Sequence, residues 1–327
     1  MLFCIGLPLV LLIVAYVVTD PFKMLRPFSL DYCSDLNRDY LSSELFLRND
    51  SRYHYDSFIF GSSRCCGLNS YHWGHYLPEG ARPFLFQAWG ETLTGMVQKI
   101  DYIDNNGNEI NNVILLFDIP GTFRERQLSQ NVPVIKDYRF SGQSPLAFHA
   151  SLFCGFVQRP SFWVSSFCQW LSPTSSGFLA DTVTNDWDSG NKYMDFRRQP
   201  DKDSLSNCTV KTKAAFLHEV RHSTDADLKV SEPLMTEAFM HQLLHIKAVF
   251  DRHHTNYKVV ISPAYCYVHP KINQMDLVML QVVFGKENVF DYSGKNDLTE
   301  DCYNFSDPEH FGASVGWQIL EDIYNRK

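Results

Sequence analysis

Five short runs of apolar residues recur along the chain, and polar stretches separate them. The runs cover residues 57–60, 83–87, 113–119, 257–262 and 289–292. The third, VILLFDI, is almost continuously apolar, which is typical of a parallel strand buried on both faces. Between and after these runs, apolar spacing predicts helices at 92–105, 232–254, 272–284 and 313–324, and a helix and loop at 68–80. The alternation of strands and helices predicts an α/β fold with a parallel sheet.

The amino-terminal stretch, residues 2–19, is nearly uninterrupted in its apolar character (LFCIGLPLVLLIVAYVVT). A run of this length almost spans a bilayer core. Because it lacks a cationic n-region and an A-x-A-like cleavage site, residues 1–20 favour an uncleaved transmembrane signal anchor over a cleaved signal peptide or a buried core helix. Lys23 and Arg26 follow the run, and the positive-inside rule favours the cytoplasm for that flank. Residues 21–55 are interpreted as a juxtamembrane lead.

Residues 121–231 interrupt the α/β pattern, and we interpret them as an insertion within one domain that covers residues 56–327. Residues 145–179 of this insertion are crowded with Phe and Trp. We favour a pair of helices buried against the core. The alternative is a surface that lies on a membrane or lines an acyl or glycan groove.

Composition narrows the classes of function. The formal net charge of −8 argues against a nucleic-acid-binding surface, which is normally basic. Neither a phosphate-binding Gly-rich loop nor paired CxxC motifs occur, and His241 and His245 lack the glutamate of a HExxH motif. We therefore predict no cofactor and no metal. Eight cysteines follow the apolar run, an even number that is typical of an oxidising compartment with some disulfides.

Three residues form the candidate catalytic set. Ser63 follows the first predicted strand, in Gly61-Ser62-Ser63, and Asp307 and His310 stand three residues apart near the end of the chain. A serine, an imidazole and a carboxylate supply a nucleophile, a base and the group that orients the base. Such triads are defined by geometry and not by sequence position.

Two further residues follow predicted strands. Gly90 comes after the second strand and Asp118 ends the third, and functional groups gather at the carboxyl ends of parallel strands. The amides of Ser63 and Gly90 are candidate oxyanion donors, and Asp118 is a candidate accessory residue.

Each member of the candidate set also has an ordinary interpretation. Gly-Ser-Ser is commonly only a turn, and Asp307 followed by Pro308 is a common helix start. A single His310 is more often a surface or packed residue. If these interpretations are correct, Ser63 and His310 lie far apart in the fold.

With these motifs, the chain resembles the SGNH, or GDSL-like, esterases and acyltransferases. It is most similar to membrane-anchored members of bacterial cell-envelope loci, such as those of teichoic-acid D-alanylation and polysaccharide O-acetylation. Gly61-Ser62-Ser63 resembles the family's first block, Gly90 the glycine of its second, and Asp307-x-x-His310 its last. Residues 261–263 and 290–294 are also similar to the anchored members. The similarity covers residues 56–120 and 232–325.

One block departs from the family pattern. The third block normally carries Gly-x-Asn-Asp, whose asparagine helps to form the oxyanion hole. The corresponding strand here ends in Phe117-Asp118-Ile119-Pro120-Gly121 and has no asparagine. The anchored members often lack this residue, so the departure leaves both an active and a silent protein open.

The resemblance implies a flavodoxin-like three-layer fold, with Ser63 as nucleophile, His310 as base and Asp307 as its orienting group. It implies a membrane-anchored serine esterase or O-acyl(acetyl)transferase that acts on a cell-surface glycan. The alternative is a catalytically silent relative that binds glycan or partner proteins in envelope polysaccharide assembly. The expected partners are the membrane, a glycan or acyl-ester substrate and a membrane acyltransferase, without nucleic acid. The expected location is the bacterial inner membrane. The resemblance places the main domain outside the cytoplasm, against the orientation that Lys23 and Arg26 favour.

Overall fold

The fold contains one parallel five-stranded sheet. The structure, a computed structural model, describes residues 2–22, 24–25, 38–125, 137–171, 181–186, 224 and 228–325. The strands within these ranges are β1 Ser57–Gly61, β2 Pro83–Gln87, β3 Asn112–Phe117, β4 Asn256–Ile261 and β5 Val289–Asp291. All five predicted strands are confirmed, with ends that differ by no more than two residues.

The strands lie in the order β2-β1-β3-β4-β5, and every pair is parallel. This order is consistent with a flavodoxin-like layout, and the α/β prediction is confirmed. The chain leaves β1 towards β2 on one side and reaches β3 on the other. Ligands of such sheets bind beyond the carboxyl ends of the strands at this switch point.

Helices cover both faces of the sheet. The helices of the described residues are α1 Leu2–Thr19, α2 Arg38–Tyr53, α3 Ser70–Gly74, α4 Leu93–Asn105, α5 Tyr138–Ser141, α6 Pro145–Val157, α7 Pro160–Leu171, α8 Glu237–His253, α9 Gln274–Phe284 and α10 Ala313–Asn325. Side chains of α2, α4, α8 and α9 share one buried cluster with Phe58 and Phe60 of β1. Those of α3 and α10 share a second cluster with Ile59. Consecutive residues of β1 thus enter opposite cores, as the pleat of a strand requires.

One helix was not predicted, and another begins later than predicted. Helix α2 lies within residues 21–55 but was not predicted, because its many polar residues hide a narrow apolar stripe; Leu41, Leu45 and Phe46 are buried, and the helix packs on β2. Helix α8 begins at Glu237 and not at residue 232. The Thr236 side chain caps it by accepting a hydrogen bond from the amide of residue 239.

Two parts of the described insertion bear on how it packs. Residues 181–186 cover the edge of β2. There the Leu85 amide donates to the Thr184 carbonyl (2.9 Å), and the Asn185 side-chain amide donates to the Leu85 carbonyl (2.6 Å). Helices α6 and α7 do not join either core of the sheet. They pack with α1 in a third cluster, so the favoured interpretation of helices buried against the core is wrong. Residues 126–136, 172–180 and 187–223 lie outside the described residues.

Residues Leu2–Thr19 form a helix, but the membrane anchor predicted there is not supported. Among the described residues, no helix combines the length and hydropathy required to cross a bilayer. The expectation of disulfides also lacks support at Cys65, Cys154, Cys168 and Cys266, which are free thiols. Cys33 and Cys208 lie outside the described residues.

Candidate active site

Ser63 stands at the turn that follows β1. The strand ends at Gly61, and residues Ser63–Gly67 form a 3-10 turn that the Ser62 hydroxyl caps by accepting from the Arg64 amide. A side chain at Gly61 would approach the Cys65 sulfur and the Leu116 carbonyl closer than 3.0 Å. Glycine therefore allows the sharp turn that presents Ser63 at the carboxyl edge of the sheet.

Asp307 and His310 form a self-supporting turn before α10. Asp307 Oδ1 accepts hydrogen bonds from the amides of Glu309 (2.8 Å) and His310 (3.1 Å). Both carboxylate oxygens lie 2.9 Å from His310 Nδ1. Burial raises the pKa of the Asp307 carboxyl, but hydrogen bonds and the charge of His310 outweigh burial and lower it overall. Asp307 is thus held ionised against the imidazole, and it does not start a helix, since α10 begins only at Ala313.

The two turns meet. Ser63 Oγ lies 2.8 Å from His310 Nε2, although 247 residues separate them in the sequence. Since Nδ1 faces the carboxylate of Asp307, this nitrogen carries the proton and Nε2 accepts from the serine hydroxyl. The side chains of His310 and Asp307 are 35% and 27% exposed. The interpretation that places Ser63 and His310 far apart is therefore wrong.

Two glycines and a phenylalanine bring the turns together. A side chain at Gly316 of α10 would clash with the Gly67 carbonyl, and one at Gly67 would clash with the Phe311 ring. The start of α10 consequently presses directly on the Ser63–Gly67 turn. The contact has no sequence signature, because neither glycine lies in a turn motif.

Gly90 lies at the same sheet edge as Ser63. Gln87, the last residue of β2, pairs with Gly61, and the Ala88 amide donates to the Gly61 carbonyl (3.1 Å). Gly90 has a φ of +57°, a conformation that favours glycine. Neither the Ser63 nor the Gly90 amide donates to another described residue. Neither amide therefore has a hydrogen-bond partner among the described residues.

Asp118, the candidate accessory residue, braces the neighbours of Ser63. The Ser62 hydroxyl donates to its Oδ2, and Arg64 Nε lies 3.7 Å from its Oδ1. Its own amide donates to Thr122 Oγ1 (2.8 Å). Asp118 and Arg64 are both buried. This network holds the turn on which Ser63 stands, and Asp118 supplies no oxyanion donor.

His269 is a site neighbour that sequence analysis missed. Its Nε2 lies 3.7 Å from Glu309 Oε1, and the Tyr265 amide in the same loop donates to the Pro308 carbonyl (2.9 Å). Burial and, after it, the charge of Arg64 lower the pKa of His269. Its place in the loop after β4, at the same sheet edge, was the available signal.

A buried ion cluster lies beside the Gly90 loop. Lys99 Nζ is 2.6 Å from Glu91 Oε2 and 2.8 Å from Asp39 Oδ1, and all three side chains are at most 3% exposed. Burial lowers the pKa of Lys99, but the two carboxylates outweigh it and raise the pKa to about 12. Because Glu91 directly follows Gly90, this cluster anchors the loop that carries the candidate oxyanion donor.

A cleft of about 460 Å³ opens at the opposite end of the sheet. Its lining includes Asp56, Arg82 and Asn108, which precede β1, β2 and β3. Functional groups of parallel sheets gather at the other edge, so this cleft does not define the site. Within the described ranges, no group of three or more His, Cys, Asp or Glu residues is arranged to hold a metal ion.

Two comparisons with known proteins found no match. No protein-family model matches the chain, and no curated protein matches it. The geometry of the site therefore carries the functional argument.

Proposed function

We propose that this chain is an SGNH-like serine esterase or O-acyl(acetyl)transferase that acts on a cell-surface glycan. Ser63 is the nucleophile, His310 the base and Asp307 the group that orients the base. One observation carries the proposal, which is the continuous relay from Ser63 Oγ to His310 Nε2 (2.8 Å) and from His310 Nδ1 to Asp307 (2.9 Å). These are the contacts that a serine–histidine–aspartate triad requires.

The relay supports a two-step acyl transfer. Ser63 Oγ attacks the ester carbonyl while its proton passes to His310 Nε2, and His310 then gives that proton to the leaving alcohol. The acyl group remains on Ser63 as an ester. Water or a sugar hydroxyl attacks this ester, loses its proton to His310 and takes the acyl group, and the proton returns to Ser63. Asp307 stabilises the imidazolium in both steps.

The candidate oxyanion donors are the amides of Ser63 and Gly90. They come from the ends of neighbouring strands and bind no other described residue. Aimed at an oxyanion, such amides stabilise charge that develops only in the transition state.

The glycan substrate and the cellular location rest on the resemblance to anchored envelope proteins. The same resemblance is the basis for proposing attachment to the bacterial inner membrane, a main domain outside the cytoplasm and a membrane acyltransferase as partner. What supports attachment is α1, whose exposed side chains include Leu7, Leu11 and Val14 and which has no charged residue.

A fluorophosphonate probe tests the serine chemistry on the full chain in detergent micelles. We expect one adduct, located at Ser63 by peptide mass analysis. Ser63→Ala and His310→Ala should abolish it, because the first removes the nucleophile and the second the base. Ser314→Ala, an exposed serine of α10, is the matched control and should label like the wild type.

The alternative is a catalytically silent protein that binds glycan or assembly partners. One observation favours it: the strand end that corresponds to the family's third block has no asparagine, and its Asp118 is buried against Ser62 and Arg64. A folded wild-type chain that remains unlabelled would contradict the enzymatic proposal and support this one.

A further inference from the structure

Helices α1, α6 and α7 form a structural unit apart from the sheet. They contact one another around a buried cluster that includes Tyr16, Phe148 and Phe156. The Trp163 ring nitrogen donates to the Phe156 carbonyl (2.6 Å) and so ties α7 to α6. The inner side of this unit is therefore packed.

The outer side of the same unit is apolar and exposed. On α6 and α7, the exposed fractions are 81% for Leu146, 67% for Val164, 50% for Phe167 and 62% for Leu171. On α1, the exposed apolar residues are Leu7, Leu9, Val10, Leu11, Ile13, Val14, Val17 and Val18. We call these twelve side chains the apolar face. A contiguous exposed apolar surface marks an interaction site or a membrane site.

The charge pattern identifies the occupant. Helices α1, α6 and α7 contain no Asp, Glu, Lys or Arg, and Arg159 in the short turn is the single charged residue between 145 and 171. A protein interface surrounds its apolar core with a polar rim and about one hydrogen bond per 100–200 Å². Whole helices without charge fit hydrocarbon instead.

The lengths of α6 and α7 determine how they meet a bilayer. With 13 and 12 residues, each is about 20 Å long or shorter at 1.5 Å per residue. A hydrocarbon core of about 30 Å exceeds that length, and apolar segments of this size are typical of buried core helices or of interfacial or re-entrant segments. The exposed side chains of α6 and α7 match the second kind. The stacked rings of Phe167 and Trp170 (5.8 Å) are suited to the headgroup level.

We propose that the apolar face binds a lipid bilayer, with α6 and α7 embedded beside α1 as an interfacial hairpin. The insertion then supplies a second membrane contact, independent of the acyl-transfer chemistry. The domain is held to the membrane at two places in the sequence, so its orientation relative to the lipid surface is restricted.

Photolabelling from within the bilayer tests this proposal. The full chain is reconstituted in phosphatidylcholine vesicles that contain a hydrophobic diazirine, irradiated and mapped by mass spectrometry. Val282 and Met275 of α9 are matched internal controls, because they are 78% and 60% exposed but lie on the α/β domain. We expect roughly tenfold more adduct at Val164 and Leu171 than at these controls, because the probe concentrates in hydrocarbon.

Two outcomes would overturn the proposal. One is labelling of α6 and α7 no stronger than that of α9, even if α1 is labelled. The other is that a second copy of the chain covers the apolar face. In that case a bismaleimide would join two chains through the exposed Cys168, and Cys168→Ser would prevent this cross-link. Fluorophosphonate labelling of Ser63 is read from the same vesicles, so failure of the membrane contact is distinguishable from failure of the serine chemistry.

Discussion

Two three-residue clusters with ionisable groups lie near the carboxyl edge of the sheet, and they differ in their access to solvent. In the Asp39–Glu91–Lys99 cluster, one cation faces two carboxylates and every side chain is at most 3% exposed. In the Ser63–Asp307–His310 set, about a third of the imidazole is exposed. The first cluster is sealed, whereas the second can meet a substrate.

The difference shows why one cluster is structural and the other is a candidate for chemistry. Protonation changes of a sealed ion pair carry a large desolvation cost, and Lys99, with a pKa of about 12, stays charged. A histidine held by a carboxylate can take a proton from a neighbouring hydroxyl and return it during a reaction. The sealed cluster holds the Gly90 loop in place at the same edge of the sheet as the open set.

Among the variants that test this comparison, Asp307→Asn is expected to have the largest effect. The amide keeps the shape of the carboxylate but loses its charge and disturbs the imidazole tautomer, so fluorophosphonate labelling should slow about 10³–10⁴-fold. Labelling kinetics measure this, with exposed Asp297→Asn as the control. An unchanged rate would show that Asp307 does not orient His310.

Lys99→Met tests the sealed cluster. It leaves two buried carboxylates without their cation, and the free energy of unfolding should fall by about 3–5 kcal/mol in urea denaturation. Adding Asp39→Asn and Glu91→Gln removes the repulsion and should restore part of the loss. The exposed Lys286→Met is the control, and an equal effect there would contradict the role of the cluster.

Asp186→Asn extends the comparison to a third case. Asp186 is a buried carboxylate whose hydrogen-bond partners include no cation. Its oxygens accept from Ser70, Tyr71 and Thr184, but burial outweighs these bonds and raises its pKa from 3.8 to about 6. The native state therefore binds this proton more tightly than the unfolded chain does.

The resulting contribution to stability is fully present below pH 3.8 and is lost as pH rises through 6, with a span of ~2–3 kcal/mol. The difference between wild-type and Asp186→Asn unfolding curves, measured from pH 4 to pH 7, should show this slope. A difference that stays flat with pH would refute the raised pKa.

Gly316→Ala is expected to have the smallest effect. The new methyl group meets the Gly67 carbonyl closer than 3.0 Å, so α10 must move away from the Ser63 turn. Overpacking of this kind costs about 1–3 kcal/mol. Thermal unfolding and labelling should both decline relative to Ser314→Ala two residues earlier on the same helix, and equal behaviour of the two variants would argue against the contact.

Local sequence predicted some elements of the fold and missed others. The strands and most helices were predicted within a few residues, because burial on both faces of a sheet leaves continuous apolar runs such as 113–119. Helix α2 was missed, because a helix that buries only a narrow stripe looks polar on average. The start of α8 was placed five residues early, since Pro233 resembles a helix start while Thr236 supplies the cap.

By itself, the sequence determined the order of the strands and most of the helices, and the three candidate residues, since local patterns and residue chemistry are sufficient for these. Only the tertiary structure decided that Ser63 meets His310, that Asp118 braces the turn, and that Lys99 is paired. Each of these depends on contacts between distant segments, such as Gly67 with Gly316. A chain closes those contacts only when packing compensates for the lost conformational entropy, and no local pattern records that balance.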